Sequence, residues 1–334
     1  MATPGPGGEI LMTPSAHSAA SPFLLSNDDV CPPEFLALAT GAPARPIAFV
    51  RAVGAPILET ARDSISTGLV EPILIGEAGQ IKADAVAIGW SLDGARIIDT
   101  NGEQEAIEAA VAEVSAGRAF GLIKGQLHTD VFMGTIVRRT SGIRTDRRLV
   151  HIFAMLPPGG GKPLLISDAA VNIAPDVGTR TEAALAMAGL LRRMGVARPR
   201  IAVLSATESQ LPGMPSSIEA AEIATAAASS DANAAFAGPL SLDLALSPES
   251  VAIKGIAPDS EAGGVAGHAD GLIVPDIVSG NVLFKSLAYC AGALAAGVVL
   301  GGTVPIMLTS RSDPAAARLA SLALAAIAAQ EDQT

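Results

Sequence analysis

A short polar turn near the end of the chain carries the residues with the clearest capacity for chemistry. The segment TSRSD, residues 309 to 313, follows an apolar strand pattern that starts at Val304 and precedes an alanine-rich helix pattern that ends at Ala328. In open α/β sheets, ligands collect at the carboxyl ends of strands. Backbone N–H groups at a helix N-terminus, together with a guanidinium such as that of Arg311, can hold an anion. The turn is therefore a candidate anion site.

Asp313 has two interpretations. Pro314 follows it in the preferred first position of a helix, so Asp313 could be only the N-cap of that helix. It could also be a catalytic carboxylate. The two roles are compatible, because a cap fixes the direction in which its carboxylate points.

The densest positive charge of the chain lies between residues 120 and 155. This segment contains Arg138, Arg139, Arg144, Arg147 and Arg148. Arginine binds phosphate oxygens bidentately, so the cluster predicts a dock for phosphate groups, with Arg144 and Arg148 as substrate-binding candidates. The alternative is a solvated helix end and loop. Lys124, just after the apolar part of FGLIK, is a second cationic candidate.

Polar residues also follow three other predicted strands. They lie after the apolar runs of KPLLIS, RIAVL and GLIV, and two more lie one turn apart on one face of the next predicted helix. We expect them to bind substrate, at strand ends that face one cleft. These candidates are Asn172, Asp176, Ser205, Asp276, Asn281 and Lys285. For Lys285 the alternative is an ammonium group that extends to solvent.

The composition excludes several classes of function. The 334 residues are 49% hydrophobic and only 3% aromatic, so the core must consist of Ala, Val, Leu and Ile. A formal net charge of -11 disfavours binding to nucleic acid or to an anionic membrane. Cys31 and Cys290 lack disulfide or metal spacing, which fits a reducing cytoplasm. The histidines are scattered, so no metal site is predicted, and His151 in LVHIFAM is expected to be a core or interface histidine.

Strand and helix patterns alternate from Arg45 onward. PIAFV (46–50), EPILIGE (71–77) and ARIIDT (95–100) are predicted strands separated by helices, which is typical of βαβ units and a parallel sheet. LVHIFAML and KPLLIS are predicted to pair around the turn PPGGG. The apolar run from Leu287 to Met307 predicts a helix, a loop and a strand rather than a membrane span, because glycines and Pro305 interrupt it. Residues 1–29, rich in Pro, Gly, Ser and Thr, are predicted to be a flexible leader.

Several common site motifs are missing from the chain. There is no G-x-x-x-x-G-K-[ST], no convincing G-x-G-x-x-G after a strand, and no G-x-S-x-G. A Walker nucleotide site, an ordinary dinucleotide fold and a serine-hydrolase elbow are therefore not indicated.

Nine separated blocks resemble one protein family in order along the chain. They include FGLIKGQLHTD, GIRTDRRLVHIFAM, SDAAVNIAPD, GHADGLIVPDIVSGNVLFKSL and AGVVLGGTVPIMLTSRSD. Together they resemble the phosphate acetyltransferase and phosphate butyryltransferase family over residues 45 to 328. The block GIRTDRRLVHIFAM is most similar to the transferase half of bifunctional enoyl-CoA hydratase/phosphate acetyltransferases, without the hydratase half.

The resemblance implies a two-domain α/β fold of the isopropylmalate-dehydrogenase type, with mostly parallel sheets and coenzyme A in the cleft between domains. Residues 30–152 plus 302–334 would form the first domain, and residues 153–301 the second. The implied reaction is reversible transfer of a short acyl group, acetyl first, between coenzyme A and inorganic phosphate. Coenzyme A is then a substrate, no bound cofactor or metal is implied, and a cytoplasmic homodimer is expected.

The resemblance also implies roles for the polar turn. Ser310 and Arg311 match a functional S-R pair of the acetyltransferases. The catalytic aspartate of those enzymes corresponds to Ala317 here, so Asp313 is taken as catalytic by role rather than by register. Two further departures are Met133, where a coenzyme-A-binding arginine is usual, and Ala237, where an aspartate is usual.

Three functions stay open from the sequence. The first is a phosphate acyltransferase, with acetyl or butyryl as the acyl group. The second is a decarboxylating dehydrogenase of the same fold, which should have paired metal-binding aspartates and a nicotinamide site; neither is visible. The third is a catalytically silent acyl-CoA-binding homologue.

Overall fold

The computed structural model describes residues 23–25, 30–41, 43–257, 264–308 and 313–330. The strands are β1 (Arg45–Val50), β2 (Val70–Gly76), β3 (Arg96–Asp99), β4 (Leu122–Lys124), β5 (Val150–Leu156), β6 (Leu164–Ser167), β7 (Arg200–Leu204), β8 (Ala235–Leu240), β9 (Gly271–Ile273), β10 (Leu294–Leu300) and β11 (Ile306–Met307). The helices are α1 (Pro33–Ala39), α2 (Ala55–Ser66), α3 (Ala78–Ala87), α4 (Gly102–Ser115), α5 (Thr129–Ile136), α6 (Val177–Arg193), α7 (Pro215–Ser230), α8 (Leu242–Leu246), α9 (Pro248–Lys254), α10 (Ile277–Cys290) and α11 (Ala315–Ala328).

All these strands join one 11-stranded sheet in the order β3-β2-β1-β4-β11-β10-β5-β6-β9-β7-β8. Most neighbouring strands are parallel. The exceptions lie at the centre, where β10 is antiparallel to β11 and to β5, and β5 is antiparallel to β6. The protein therefore has a mixed α/β fold with a large, mostly parallel sheet.

The central reversals set the directions of the outer strands. β1 to β4 and β11 run one way, whereas β6 to β9 run the other way. The carboxyl ends of these two sets therefore lie at opposite edges of the sheet. This corrects the expectation that the loops after all the strands reach one cleft from the same edge.

Helices cover both faces of the sheet, but in different ways. One face carries a single continuous core beneath α1, α2, α3, α6, α7 and α11. On the other face, α4 and α5 pack over the first strands, and α8 to α10 pack over the later ones, as two separate cores. Alternating residues of β5 show the division, since Ile152 belongs to the continuous core and Phe153 packs on the core of α8 to α10. The second face thus carries two separate cores instead of one.

The predicted βαβ units and the pairing of β5 with β6 are confirmed, with Phe153 opposite Ile166. The prediction for Leu287 to Met307 is wrong in one respect, because β10 occupies the segment expected to be a loop. Of the predicted leader, Leu25 is described and donates its backbone N–H to the Tyr289 carbonyl at 2.8 Å; residues 1–22 and 26–29 lie outside the described residues. No helix within the described ranges has the length and apolar character needed to cross a membrane.

Gly280 provides a test of the packing between α10 and the loop after β6. A Cβ at this position would overlap the carbonyl oxygen of Asp168 and lie 3.0 Å from a methyl carbon of Val274. We expect Gly280→Ala to lower the free energy of unfolding by about 1–3 kcal/mol, because the backbone must shift to make room. Denaturant unfolding measures this change.

Gly189, in the middle of α6, is the matched control. Nothing lies within 4 Å of the position that its Cβ would take. Gly189→Ala should therefore stabilise the protein by about 0.5–1 kcal/mol through helix propensity alone. A Gly280→Ala variant as stable as the Gly189→Ala variant would contradict the close packing.

Candidate active site

A cavity of about 590 Å³ lies at the centre of the sheet, between α10 and the start of α11. Its floor is formed by β5 and β10, one wall by α10, and the opposite wall by the start of α11 and the residue after β11. The loop after β6 closes a third side. The lining residues include His151, Phe153, Ala169, Asn281, Phe284, Gly297, Leu308, Asp313, Ala317 and Ser321. Because β6 and β11 run in opposite directions, their loops approach from opposite edges and meet over the centre of the sheet.

The floor of this central cavity depends on Gly297. A Cβ here would lie 3.0 Å from His151 Nε2 and 3.0 Å from Phe153 Cε1. His151 packs edge-on against Phe153 with ring centroids 4.3 Å apart, and Phe153 stacks on Phe284 of α10 at 4.2 Å. The missing side chain at Gly297 thus leaves room for an aromatic row across the floor.

Asp168 organises the loop beside the floor. Its carboxylate accepts backbone N–H groups from His151 at 3.0 Å and from Ala170 and Val171 at 2.9 Å, and the side-chain amide of Asn172 at 2.7 Å. A buried carboxylate needs such donors to be tolerated. These hydrogen bonds fix the start of the loop, whose residues Ala169 and Ala170 lie in the cavity wall.

His151 is buried, as expected for a core histidine, with 1% of its surface exposed. Burial lowers the pKa of its imidazole, and this effect outweighs the negative charge of Asp168, which acts to raise the pKa. The ring is therefore neutral at physiological pH. Its position in the cavity lining was not anticipated from the sequence, although the alternation of LVHIFAM places His151 on the same strand face as Phe153.

Asp313 lies in the wall of the central cavity. The other two catalytic candidates, Ser310 and Arg311, lie outside the described residues. The interpretation of Asp313 as the N-cap is wrong, because Pro314 is the N-cap and its carbonyl accepts the N–H groups of Ala317 and Arg318, both at 3.1 Å. The fixed φ of proline is compatible with both the N-cap and the first helical residue. Here the ψ of Pro314 is 158°, which is extended and therefore places Pro314 at the N-cap, outside the helix.

Arg318 fixes the backbone at the end of the turn. Its guanidinium is buried, donates to the Asp313 carbonyl at 2.5 Å, and donates to Thr60 Oγ1 of α2 at 3.0 Å. Ser321, one turn further along α11, accepts the Gly297 N–H at 2.9 Å. These contacts tie α11 to α2 and to the cavity floor, so that Asp313 is positioned by the core rather than by a cap.

The candidates on α10 have different positions. Asp276 is the N-cap of the helix and accepts the Ser279 N–H at 2.9 Å. Asn281 lines the central cavity with its side chain half-buried. Lys285 is exposed and is absent from the cavity lining, which agrees with the solvated alternative.

Arg148 lies at a second cavity, of about 920 Å³, at the edge of the sheet near α6. Arg144 is exposed in the same loop, and its backbone bridges to Gly302. The guanidinium of Arg148 makes no hydrogen bond or ion pair within the described part of the chain. We call the loop that carries Arg144 and Arg148 the arginine loop. Neither arginine lines the central cavity that contains Asp313, so the structure separates the two.

Asn172 and Asp176 have structural contacts. The Asn172 amide donates to the Leu149 carbonyl at 2.8 Å as well as to Asp168. Asp176 is the N-cap of α6, and its hydrogen bonds with Thr179, aided by the charge of Arg148, hold the pKa of its carboxyl below the usual value. Both side chains thus stabilise the segment between β6 and α6, and neither lines either of the two cavities.

Lys124 and Ser205 lie at the ends of their strands, as predicted, but line neither cavity. Lys124 is buried at the end of β4. Ser205 follows β7, with its hydroxyl 3.3 Å from that of Ser216. The two strands concerned, β4 and β7, point to opposite edges of the sheet.

An ion-pair cluster at the carboxyl ends of β1 to β4 was missed in the sequence. Arg51 contacts Glu77 at 3.2 Å and Glu103 at 3.3 Å, and donates to the Gln126 carbonyl at 2.9 Å. His128 donates its backbone N–H to Glu103, and this bond is the main cause of the lowered pKa of the Glu103 carboxyl. The cluster joins four loops of the first half of the sheet. It pairs Arg51 with carboxylates that are far from it in the sequence.

Within the described residues, no group of three or more His, Cys, Asp or Glu side chains has an arrangement suited to a metal ion.

The sheet and its central cleft define an α/β protein of the kind found in phosphotransacylases and in some dehydrogenases. A branched-chain phosphotransacylase from Enterococcus faecalis V583 superposes with a TM-score of 0.74 and 31% identity, over 85% of this chain and 99% of the other. A 4-hydroxythreonine-4-phosphate dehydrogenase from Salmonella typhimurium, with a TM-score of 0.54 and 14% identity over 86% and 100% of the two chains, shares the fold alone.

The chain belongs to the phosphate acetyl/butaryl transferase family, whose model matches residues 103–326. A phosphate acetyltransferase from Rhizobium meliloti is 40% identical over 266 residues, or 79% of this chain and 83% of the relative. A phosphate butyryltransferase from Clostridium acetobutylicum is 30% identical over 275 residues, or 82% and 90%. The resemblance found in the sequence is thus confirmed at the level of the family.

Proposed function

We propose that the protein transfers a short acyl group reversibly between coenzyme A and inorganic phosphate, with acetyl as the preferred group. Membership of the phosphate acetyl/butaryl transferase family is the observation that carries this proposal. The central cavity supports it, because Asp313, His151 and Asn281 line the same cleft, together with apolar side chains. Acyl-CoA and phosphate are then the substrates, and no metal is required for the chemistry below.

In the direction of acyl-CoA synthesis, the thiol of coenzyme A attacks the carbonyl carbon of the acyl phosphate. The thiol has a reference pKa of about 8.5 and a carboxylate one of about 3.9, so the transfer needs help from the site. Asp313 accepts the thiol proton while the sulfur–carbon bond forms. The carbon–oxygen bond to phosphate then breaks, and its electron pair leaves with the phosphate. Arg311 stabilises the negative charge, and Ser310 donates a hydrogen bond to the phosphate or the acyl oxygen.

A butyryl group is the second candidate, favoured by the walls of the cavity. Phe153, Phe284, Ala169 and Leu308 give these walls an apolar surface that could cover a longer chain. A series from acetyl-CoA to butyryl-CoA, assayed with phosphate, distinguishes the two candidates. Tight binding of acyl-CoA without phosphate-dependent turnover would instead indicate a silent homologue.

We also propose a two-domain organisation and a homodimer. Separate helix groups around the cleft support a division into residues 30–152 plus 302–334 and residues 153–301.

The homodimer is supported by α10. Three apolar side chains of this helix, those of Val278, Val282 and Tyr289, are 67%, 60% and 54% exposed, and they support an interface there. A mass in solution of a single chain would contradict the dimer. We propose in addition that the chain is related to the transferase half of the bifunctional enzymes, which the block GIRTDRRLVHIFAM supports. We also propose a cytoplasmic location.

The arginine loop gives a kinetic prediction. We expect Arg144→Ala and Arg148→Ala to raise the KM for phosphate or coenzyme A more than they lower kcat, because a guanidinium outside the central cavity contributes to binding rather than to the chemical step. Steady-state kinetics with each substrate varied in turn measures the effect.

Arg139→Ala, an exposed arginine of the preceding 3₁₀ turn, is the matched control. It removes the same charge from the same segment and should leave both constants close to those of the wild type. Unchanged constants in the Arg144 and Arg148 variants as well would mean that the loop is only a solvated surface.

A further inference from the structure

The imidazole of His151 has no partner that accounts for its burial. Its Nδ1 is buried and makes no hydrogen bond. The neighbouring carboxylate of Asp168 does not bind the ring, since it accepts the backbone N–H of His151 instead. Buried polar atoms are usually hydrogen-bonded, and those that are not call for an explanation in the function of the site.

The geometry indicates which edge of the ring faces the cavity. The Nε2 and Cε1 atoms lie over Gly297, at 3.0 and 3.2 Å from the position that a Cβ would take there. Gly297 and His151 both line the central cavity. An unpaired buried N–H is rarer than an undersatisfied acceptor, so the favoured neutral tautomer has its lone pair on Nδ1 and its proton on Nε2.

We propose that His151 contacts the substrate, with its Nε2–H donating a hydrogen bond to the carbonyl oxygen of the acyl group. This inference rests on the proposed acyl transfer and assigns the oxyanion donor of that reaction. The carbonyl would lie between the floor of the cavity and the wall formed by Asp313, where thiol and phosphate meet.

The proposed role fits a neutral imidazole. When the sulfur attacks, the carbonyl oxygen gains negative charge, and a fixed N–H stabilises this charge more than it stabilises the ground state. No proton leaves His151, since the thiol proton goes to Asp313 and the bonding electron pair leaves with the phosphate. The packing of the ring on Phe153, and the absence of a side chain at Gly297, hold the donor in place before the substrate binds.

Two variants separate the hydrogen bond from the shape of the ring. His151→Phe keeps an aromatic ring without an N–H, and we expect kcat to fall about a hundredfold, with the KM values for coenzyme A and phosphate within about threefold of the wild type. His151→Gln places an amide N–H near the position of Nε2 and should recover a large part of kcat. His268→Asn, an exposed histidine outside both cavities, is the control and should behave as the wild type.

A binding measurement tests the same contact without turnover. An unreactive acyl-CoA analogue, with a methylene in place of the thioester sulfur and a ¹³C-labelled carbonyl, is bound to the wild type and to His151→Phe. The infrared stretch of the bound carbonyl should lie at lower frequency in the wild type, because a hydrogen bond weakens the C=O bond. This comparison stays valid if His151→Phe folds less stably than the wild type, provided that the bound fraction is measured.

The outcomes distinguish this inference from the proposed function. A wild-type protein without acyl exchange would overturn the proposed function itself. An active wild type with an unchanged kcat in His151→Phe would overturn the role of His151 alone. A change confined to KM, a Gln variant as slow as the Phe variant, or equal carbonyl frequencies in the two proteins would also overturn it.

Discussion

Asp313→Asn should lower turnover about a hundredfold or more, with a change in the free energy of unfolding well under about 1 kcal/mol. A carboxamide has nearly the shape of the carboxylate but cannot accept the proton of the thiol. Asp313 lies in the wall of the central cavity, so the loss should appear in the chemical step rather than in folding. Thiol-dependent turnover and melting temperature, measured on the same preparation, provide the test.

Asp313→Ala gives an independent check on the interpretation of this residue. Because Pro314 is the N-cap of α11, the alanine variant loses no helix cap. It should therefore be as slow as the asparagine variant and almost as stable as the wild type. Asp130→Asn, an exposed aspartate at the start of α5, controls for the loss of one negative charge. An asparagine variant at position 313 with normal turnover would exclude Asp313 as the base.

Arg311→Lys is the second variant for which we expect a large effect, the loss of most of the activity. Lysine keeps the positive charge but not the planar fork that binds two oxygens of a phosphate or carboxylate at once. If Arg311 stabilises charge on the reacting groups, the loss should be greater in kcat than in KM. The measurement is the initial rate of acyl exchange at saturating concentrations of both substrates.

Arg139→Lys serves as the matched substitution at an exposed position, where one cation for another should be silent. Near-normal turnover in the Arg311 variant would mean that a simple point charge is sufficient at this position. In that case the hydrogen bond from Ser310 and the helix N-terminus would remain the candidates for holding the phosphate.

Local patterns were sufficient wherever a strand or helix had strong periodicity and clear ends. The strand pattern PIAFV became β1, with Phe49 and Val50 buried on opposite faces. The turn PPGGG joined the antiparallel pair β5 and β6 as predicted. In such segments the preferences of neighbouring residues and the burial of one or both faces favour the same structure, so the sequence contains the necessary information.

β10 shows where local pattern failed. Its sequence LAAGVVL contains small residues with little intrinsic preference for a strand. It becomes a strand because β5 and β11 flank it and because α11 packs closely on its face, where Ala296 and Val298 are buried. Small side chains permit that close approach, a reason that is visible only once the partners are in place.

The start of α11 was misplaced by one residue for a different reason. Proline is acceptable both as the N-cap and as the first helical residue, so the order Asp313-Pro314 does not distinguish the two registers. The contacts of Arg318 with Asp313 and Thr60 accompany the register that the structure adopts. Interactions between distant parts of the chain thus settled a boundary that the local residues left open.

By itself, the sequence determined the alternation of strands and helices, the family, and the candidacy of Asp313 and Asn281, because periodicity and short motifs are local properties. Only the tertiary structure decided which candidates share a cavity. The reversal of direction at β10 and β5 brings Asp313, Asn281 and His151 together over the centre of the sheet and leaves Arg148 at another cavity. The direction of a strand depends on hydrogen bonding with distant segments, and for that reason no local pattern could reveal it.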